Sequence, residues 1–297
     1  MAYSEGSQTQ TLIFNLSSFG STSANTAIVL PVTENTLEIK RGNLKDGTLN
    51  KNRQPSALRS GLKTVDGDLK FNLRYSDYDT IISNALQGTW SSNTCISSNV
   101  KSYIGVTKDF TDVNVYNTYF GLLCDELSID IKPNALIPVT AKFVGKSMTS
   151  ANTQIVTTPV SASGNQPFDS FTGSIKENGV SIATVTGLSI SIKNSNKGSQ
   201  AVMQDSITGI TSGTLEVTGS VDIYLTDNTM LNKFLNETES SIEVTLTDLD
   251  GHSLTIKIPK LKYTSGDPNA KEGEIIQSLQ FVAEYDSVSG TTISFKR

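Results

Sequence analysis

The sequence is poor in the side chains that carry most enzymatic and metal chemistry. It has one His, two Cys and one Trp among 297 residues. A structural zinc site needs four clustered ligands, and Cys95, Cys124 and His252 cannot supply them. The same shortage leaves His252 as the only base for a Ser-His-Asp or Cys-His mechanism. We therefore assign no catalytic, cofactor-binding or metal residues, and an enzyme that depends on His252 is the weakest alternative.

Long apolar runs and charged side chains are also scarce. No run approaches the roughly 18 apolar residues of a membrane helix, and the N-terminus lacks the basic and apolar segments of a signal peptide. Charged residues make up only 18% of the chain, whereas counting gives 38 Ser and 35 Thr. Such a hydroxyl-rich surface favours extended strands and is typical of extracellular or virion proteins, so we expect a virion component made in a host cytoplasm, with no membrane partner.

What the sequence does contain is alternation of apolar and polar residues with a period of two, which predicts half-buried strands. Turn signals at 132–134, 248–251 and 265–268 separate these segments. We predict a mainly β, antiparallel protein. The clearest alternating segments are 65–73, 127–132, 188–193, 215–217, 221–225, 242–246 and 254–258.

Two stretches read as short helices. The first begins at Ser76 or Asp77 and carries apolar residues at helical spacing from Tyr78 to Leu86 before Gly88 ends it. The second begins at 226–227 and carries four apolar residues up to Leu235. Each helix follows directly on a predicted strand.

The strand and helix pairs indicate an internal duplication. Segment 65–73 aligns with 217–225 at an offset of 152, and Leu37 falls 151 residues before Leu188. We predict two tandem modules, each an antiparallel β-sandwich or partial barrel with one flanking α-helix. The predicted boundaries are an N-terminal arm and first strand at 1–36, a first module at 37–150, a linker at 151–166 and a second module at 167–297.

Charge divides unevenly between the halves. Residues 1–150 hold 14 basic and 13 acidic side chains, whereas 151–297 hold 10 and 16. Nine basic residues lie between Lys40 and Arg74 against three Asp. This basic stretch predicts a surface for an acidic partner, including another copy of the chain; a solvated polar loop is the alternative.

Other motifs have structural explanations. Asp248–Gly251 resembles the start of a calcium loop, but Ser253 and Pro259 occupy its sixth and twelfth positions, so we predict a hairpin turn. The basic stretch has few aromatics for stacking on single-stranded nucleic acid. We expect Trp90 to close the core and the two Cys to be reduced thiols rather than a disulfide.

Several blocks resemble phage major tail tube proteins. The longest begins at Gly61 and reads GLKTVDGDLKFNLRYSDYDTIISNALQGTW. Further blocks lie at 108–149, 167–179, 231–251 and 273–286, so the resemblance spans about residues 37–297. The weakest stretches are the first 36 residues and 194–213.

The resemblance implies a structural virion protein that self-assembles into stacked rings forming the phage tail tube, through which double-stranded DNA passes during genome ejection. Its implied partners are further copies of the chain and the tape measure, tail terminator and distal tail proteins. The stretch 41–63 resembles the family's long assembly loop. The basic residues assigned to this loop are Arg41, Lys45, Lys51, Arg53, Arg59 and Lys63.

Two tandem modules per chain also predict the ring's composition. Three chains would supply six modules as a pseudo-hexameric trimer, and six chains with twelve modules are the alternative. A two-domain β-sandwich adhesin or carbohydrate-binding protein is the alternative function.

Overall fold

The computed structural model describes residues 3–24, 26–48, 57–268, 270 and 272–297. Within these residues the chain is mainly antiparallel β with two short helices. The prediction from period-2 alternation is therefore confirmed. Along each alternating segment one side chain in two points into the core, as the pleat of a strand requires.

The first half contains a 3₁₀ turn, twelve strands and one helix in the described residues. In order they are the turn Gly6–Gln8, β1 (Thr9–Gln10), β2 (Leu12–Asn15), β3 (Ile28–Val29), β4 (Glu34–Asn35), β5 (Glu38–Lys45), β6 (Leu58–Asn72), α1 (Asp79–Leu86), β7 (Trp90–Ser91), β8 (Thr94–Ile96), β9 (Ile104–Phe110), β10 (Val115–Ile131), β11 (Pro138–Gly145) and β12 (Ser147–Ala151).

The second half has ten described strands and one helix. They are β13 (Gly173–Glu177), β14 (Val180–Ser181), β15 (Val185–Lys193), β16 (Lys197–Ser199), β17 (Gly209–Thr211), β18 (Glu216–Tyr224), α2 (Thr229–Leu235), β19 (Ser240–Thr247), β20 (Ser253–Tyr263), β21 (Ile276–Ala283) and β22 (Ser294–Lys296).

One antiparallel sheet runs through both halves, and we call it the spanning sheet. Its strand order is β5–β6–β11–β10–β15–β18–β21–β20. Only the C-terminal part of β10 and the last residues of β20 take part in it. Among the described residues the strand pairings do not close into a barrel.

Each half adds a second sheet, because β10 and β20 are long enough to serve two layers. The first cover sheet has the order β3–β2–β9–β10–β12. The second has the order β14–β13–β19–β20–β22, and β22 continues to β8 and β7 of the first half. The last strand, β22, therefore pairs with β8 of the first half of the chain.

The core lies between the spanning sheet, the cover sheets and the two helices. Ile81, Ala85 and Leu86 of α1 are buried in it. The ring of Tyr78, just before α1, stacks on Phe71 of β6 at 3.8 Å between centroids. Both helices lie where their apolar spacing predicted, each shortly after a strand of the spanning sheet.

Details at the first helix differ from the expectation. The α1 helix begins at Asp79, its N-cap is Tyr78, and no side chain caps it. Asp77 instead accepts a hydrogen bond from the Ser163 backbone N–H at 2.9 Å. Gln87 ends the helix in the left-handed conformation, one residue before Gly88.

Trp90 packs against the core edge and donates its indole N–H to the Asp79 carbonyl at 2.9 Å. Cys95 and Cys124 are buried free thiols, as predicted. In the described part of the chain, neither helix has the length and apolar character that a membrane crossing requires.

Candidate assembly surfaces

The two halves repeat the same strand order and the same register. Gly67 lies opposite Phe143 in the β6–β11 pair, and Gly219 lies opposite Phe281 in β18–β21. The two glycines are 152 residues apart and the two phenylalanines 138 apart. The order β5–β6–β11–β10 therefore corresponds to β15–β18–β21–β20, which supports the predicted alignment of 65–73 with 217–225.

The predicted offset of 151 for the preceding strand was wrong. Glu38 lies opposite Asp66, and Ser191 lies opposite Thr218, which is 152 residues after Asp66. Ser191 therefore corresponds to Glu38 at an offset of 153. The pattern-based alignment was therefore two residues out of register. A shift of two residues leaves every side chain on the same face of the strand, so alternation alone cannot detect it.

The repeated glycines allow a close approach within the sheet. A Cβ at Gly219 would lie 2.1 Å from the Ser189 carbonyl oxygen and 2.5 Å from the Phe281 ring. A Cβ at Gly67 would lie 2.6 Å from the Leu37 Cα. Each glycine thus leaves room for the neighbouring strand, and at Gly219 also for the opposing Phe.

The two halves join edge to edge at the middle of the spanning sheet. β10 and β15 pair antiparallel over six residue pairs, from Glu126 opposite Lys193 to Ile131 opposite Leu188. β10 is the last strand of the first repeat in the sheet, and β15 is the first strand of the second. One chain therefore already contains a complete joint between two modules.

The two outer edges of the spanning sheet resemble the two edges that meet in the β10–β15 joint. Among the described residues, β5 pairs with β6 only. At the other end, the chain after Tyr263 follows β21, because the Thr264 N–H donates to the Gln280 carbonyl at 2.8 Å. The Gln280 N–H in turn donates to the Ser265 hydroxyl at 3.3 Å. The edge formed by β5 corresponds to β15, and the edge formed by the chain after Tyr263 corresponds to β10. These two edges lie at opposite ends of the spanning sheet.

One face of the spanning sheet is mostly polar, and the structure identifies it. The core face carries Leu69, Phe143, Leu127, Ile190, Val221 and Leu279. The opposite face is rich in hydroxyls, and we call it the polar face. Its hydroxyl residues include Ser128, Thr140, Ser189, Ser191, Thr218, Ser220 and Ser278.

Charge on the polar face is sparse and acidic on balance. Among the described residues of its strands, seven carboxylates lie there against five Lys, and several are paired, such as Lys142 with Glu126 at 3.5 Å. The hydrogen bond with Asp66 raises the pKa of Lys40. These charged residues are Glu38, Asp66, Asp68, Glu126, Asp130, Glu216, Asp222, Lys40, Lys70, Lys142, Lys193 and Lys262.

The predicted assembly loop is a hairpin in its described part. β5 and β6 continue to pair beyond the sheet, with Arg41 opposite Lys63 and Leu44 opposite Arg59. Lys45 is the last paired residue of β5. We call residues 41–63 the basic hairpin. Its Lys51 and Arg53 lie outside the described residues, so the structure brings four of the six predicted residues onto one element.

The second half contains a counterpart hairpin, β16–β17, that sequence reasoning missed. Gly198 lies opposite Ile210, as Lys45 lies opposite Leu58 in the basic hairpin. In both hairpins the strand register shifts by one residue between the spanning sheet and the hairpin. Carrying the 152-residue offset further would have matched Ile210 with Leu58. Because 194–213 resembles the family only weakly, the sequence did not show this correspondence.

The counterpart hairpin packs on the first half of its own chain. Ile207 and Ile210 are buried in a cluster with Leu123, against which Leu62 and Val144 pack. Asp205 lies 2.6 Å from the Lys63 ammonium, whose hydrogen bond and charge lower the pKa of Asp205. The contact therefore covers the end of the polar face near Val144.

His252 lies beside the predicted turn and is partly exposed. Its ring stacks on Tyr75 at 4.6 Å between centroids, and its Nδ1 lies 2.9 Å from Asp248 Oδ2. The ligand atoms of Asp248, Asp250 and His252 come within 4.8 Å of one another. Asp248 Oδ1 already accepts the backbone N–H groups of Asp250 and His252, so this carboxylate holds the predicted turn.

The family profile described as Phage tail tube protein matches residues 6–283. Among curated proteins, none matches this chain. The profile covers both repeats and the joint between them.

Proposed function

Because this chain belongs to the phage tail tube protein family, we propose that it self-assembles through the ends of its spanning sheet into stacked rings. These rings form the tail tube, which is the conduit for genome ejection. The observation that carries the proposal is the β10–β15 joint, where two equivalent modules pair edge to edge within one chain.

The same joint can be made between chains. In one copy the residues from Thr264 onward correspond to the part of β10 that pairs with β15, and in the next copy β5 corresponds to β15. Exposed strand edges of this kind template pairing with another chain. A head-to-tail contact that repeats at a fixed rotation closes into a ring.

The size of the duplex favours three chains in that ring. Each chain gives eight strands to the spanning sheet, so three chains give 24. At about 4.8 Å per strand, the sheet would have a circumference of about 115 Å and a diameter of about 37 Å before tilt. Subtracting inward side chains leaves room for one DNA duplex. Six chains would double this diameter and leave a lumen far wider than DNA.

The polar face suits the lumen of such a tube. Its hydroxyls hold water, and its excess of carboxylates repels phosphates rather than binding them. Proteins that grip DNA do so by neutralising phosphates with Lys and Arg. We propose that double-stranded DNA therefore slides along this face without specific contacts.

We propose that the basic hairpin contacts a neighbouring subunit or ring. Its described residues Arg41, Lys45 and Arg59 project from the sheet on β5 and β6, and Lys51 and Arg53 lie between these two strands in the sequence. Assembly would take place after synthesis in the host cytoplasm. The tape measure, tail terminator and distal tail proteins would meet the lumen and the two ends of the tube, and the module boundaries near 37, 151 and 167 stay predictions.

Electron microscopy of the purified protein in negative stain tests the proposal. Rings or tubes are the expected result, and native mass spectrometry of a ring should give three chains. Persistent monomers that bind glycans would contradict it and support an adhesin or carbohydrate-binding protein. Rings of six chains would keep the tube and overturn the trimer.

A further inference from the structure

We infer that Leu58 of the basic hairpin docks beside Val282 of the neighbouring copy of this chain, as Ile210 lies in one cluster with Leu123 and Val144 within one chain. The inference rests on the proposed self-assembly and names the surface that receives the hairpin.

The hairpins are equivalent in register but differ in burial. Leu58 lies opposite Lys45 and Ile210 lies opposite Gly198, so Leu58 corresponds to Ile210. Ile210 is 6% exposed, whereas Leu58 is 63% exposed. The contact of the second hairpin is therefore made within the chain. The basic hairpin, which would make the equivalent contact, carries an exposed Leu at the equivalent position.

The receiving surfaces are also equivalent. Val144 lies opposite Leu123 in the β10–β11 pair, and Val282 lies opposite Lys262 in β20–β21. Val144 packs against the cluster of Leu123, Ile207 and Ile210, but Val282 is 41% exposed. The aliphatic stem of Lys262 can replace Leu123 as an apolar floor, while its ammonium lies 3.8 Å from Glu284.

A second copy of the chain is the occupant that fits both sides. When β5 of one copy pairs with the segment that follows β20 in the next, the hairpin of the first copy comes to the Val282 end of the neighbouring sheet, by the same geometry that brings β16–β17 to Val144. Charge favours this placement, because the hairpin is basic and the second half of the chain holds 16 acidic against 10 basic residues.

Site-directed crosslinking tests the contact in assembled tubes. Leu58→Cys chains are mixed with Val282→Cys chains, co-assembled and treated with a short bis-maleimide. Cys95 and Cys124 are buried, so they should react little. We expect a covalent dimer in the mixture and none in either variant alone.

Leu44→Cys mixed with Val282→Cys is the matched control. Leu44 is as exposed as Leu58, at 63%, but it lies opposite Arg59 and corresponds to Lys197, which stays exposed in the internal contact. Tubes in which the Leu58 pair crosslinks no better than the Leu44 pair would overturn the inference and leave the proposed function standing. Crosslinking of Leu58→Cys chains with themselves would also overturn it, and failure of the wild type to form any assembly would overturn both.

Discussion

At the scale of single residues, the glycines opposite Phe143 and Phe281 explain why two distant segments share a pattern. Both glycines leave space that a neighbouring strand fills, and the Phe281 ring also packs over Gly219. The sequence shows the repeated Gly within alternating strands, but it does not show what fills the space. That depends on which strands become neighbours, and strand pairing is set by contacts between residues far apart in the chain.

Gly219→Ala should destabilise the fold. The added methyl would collide with the Ser189 carbonyl and the Phe281 ring, and overpacking of this kind typically costs about 1–3 kcal/mol. Urea unfolding followed by Trp fluorescence measures the change. Gly209→Ala is the control, because its Cβ would meet nothing within 4 Å, and equal stability of the two variants would contradict the packing argument.

Asp109→Asn should stabilise the protein at neutral pH. Burial raises the pKa of Asp109 and outweighs the hydrogen bonds from Gln154 and Thr107, which lower it; Oδ1 has no hydrogen-bond partner. An acid whose folded pKa is raised destabilises the folded state when ionised, and this penalty disappears as pH falls and the group protonates.

The Asn variant should therefore unfold at a higher urea concentration than the wild type at pH 7. The two midpoints should converge as the pH falls through the raised folded pKa of Asp109. A variant that is less stable at pH 7, or a difference that grows on acidification, would contradict the assignment.

At the scale of elements, the strands and helices were predictable and the hairpins only partly so. Alternation places β18, β20 and the part of β6 from Val65 onward because each buries one face. It says nothing about 194–213, where the strands β16 and β17 are three residues long and the burial comes from packing on the first half. The basic hairpin was predicted as a loop for the same reason: its strands extend beyond the core and carry few buried residues.

Leu58→Asp should weaken assembly without weakening the subunit. Burying a Leu against a partner contributes about 1.5–3 kcal/mol, so losing this contact should raise the critical concentration for tube formation about tenfold or more. Sedimentation of tubes at a series of protein concentrations measures it. Leu44→Asp should leave the critical concentration nearly unchanged, and equal effects of the two substitutions would exclude a specific role for Leu58.

Charge on the basic hairpin should also matter for assembly. Arg53→Glu combined with Arg59→Glu reverses two positive charges on the element proposed to meet an acidic neighbour, so polymerisation should slow, most strongly at low salt where screening is weak. Light scattering during assembly follows the rate. Polymerisation at the wild-type rate at low salt would refute the role of these charges.

At the scale of the whole molecule, the chain is two equivalent modules joined by strand pairing. Sequence patterns predicted the repeat, and the resemblance predicted the family. They did not reveal the β10–β15 joint, because the residues that form it alternate like any other half-buried strands. They also did not identify the polar face, since alternation defines two faces and only the packing of α1, α2 and the cover sheets shows which one is buried.

The rotational symmetry of an assembled tube tests the central claim most directly. A cross-section resolved by cryo-electron microscopy should show three chains and six similar modules around the lumen, lined by 24 strands with the polar face inward. Each joint between chains should repeat the β10–β15 joint within a chain. A ring of six chains, or chains joined through segments other than β5 and the residues that follow β20 from Thr264, would contradict the account.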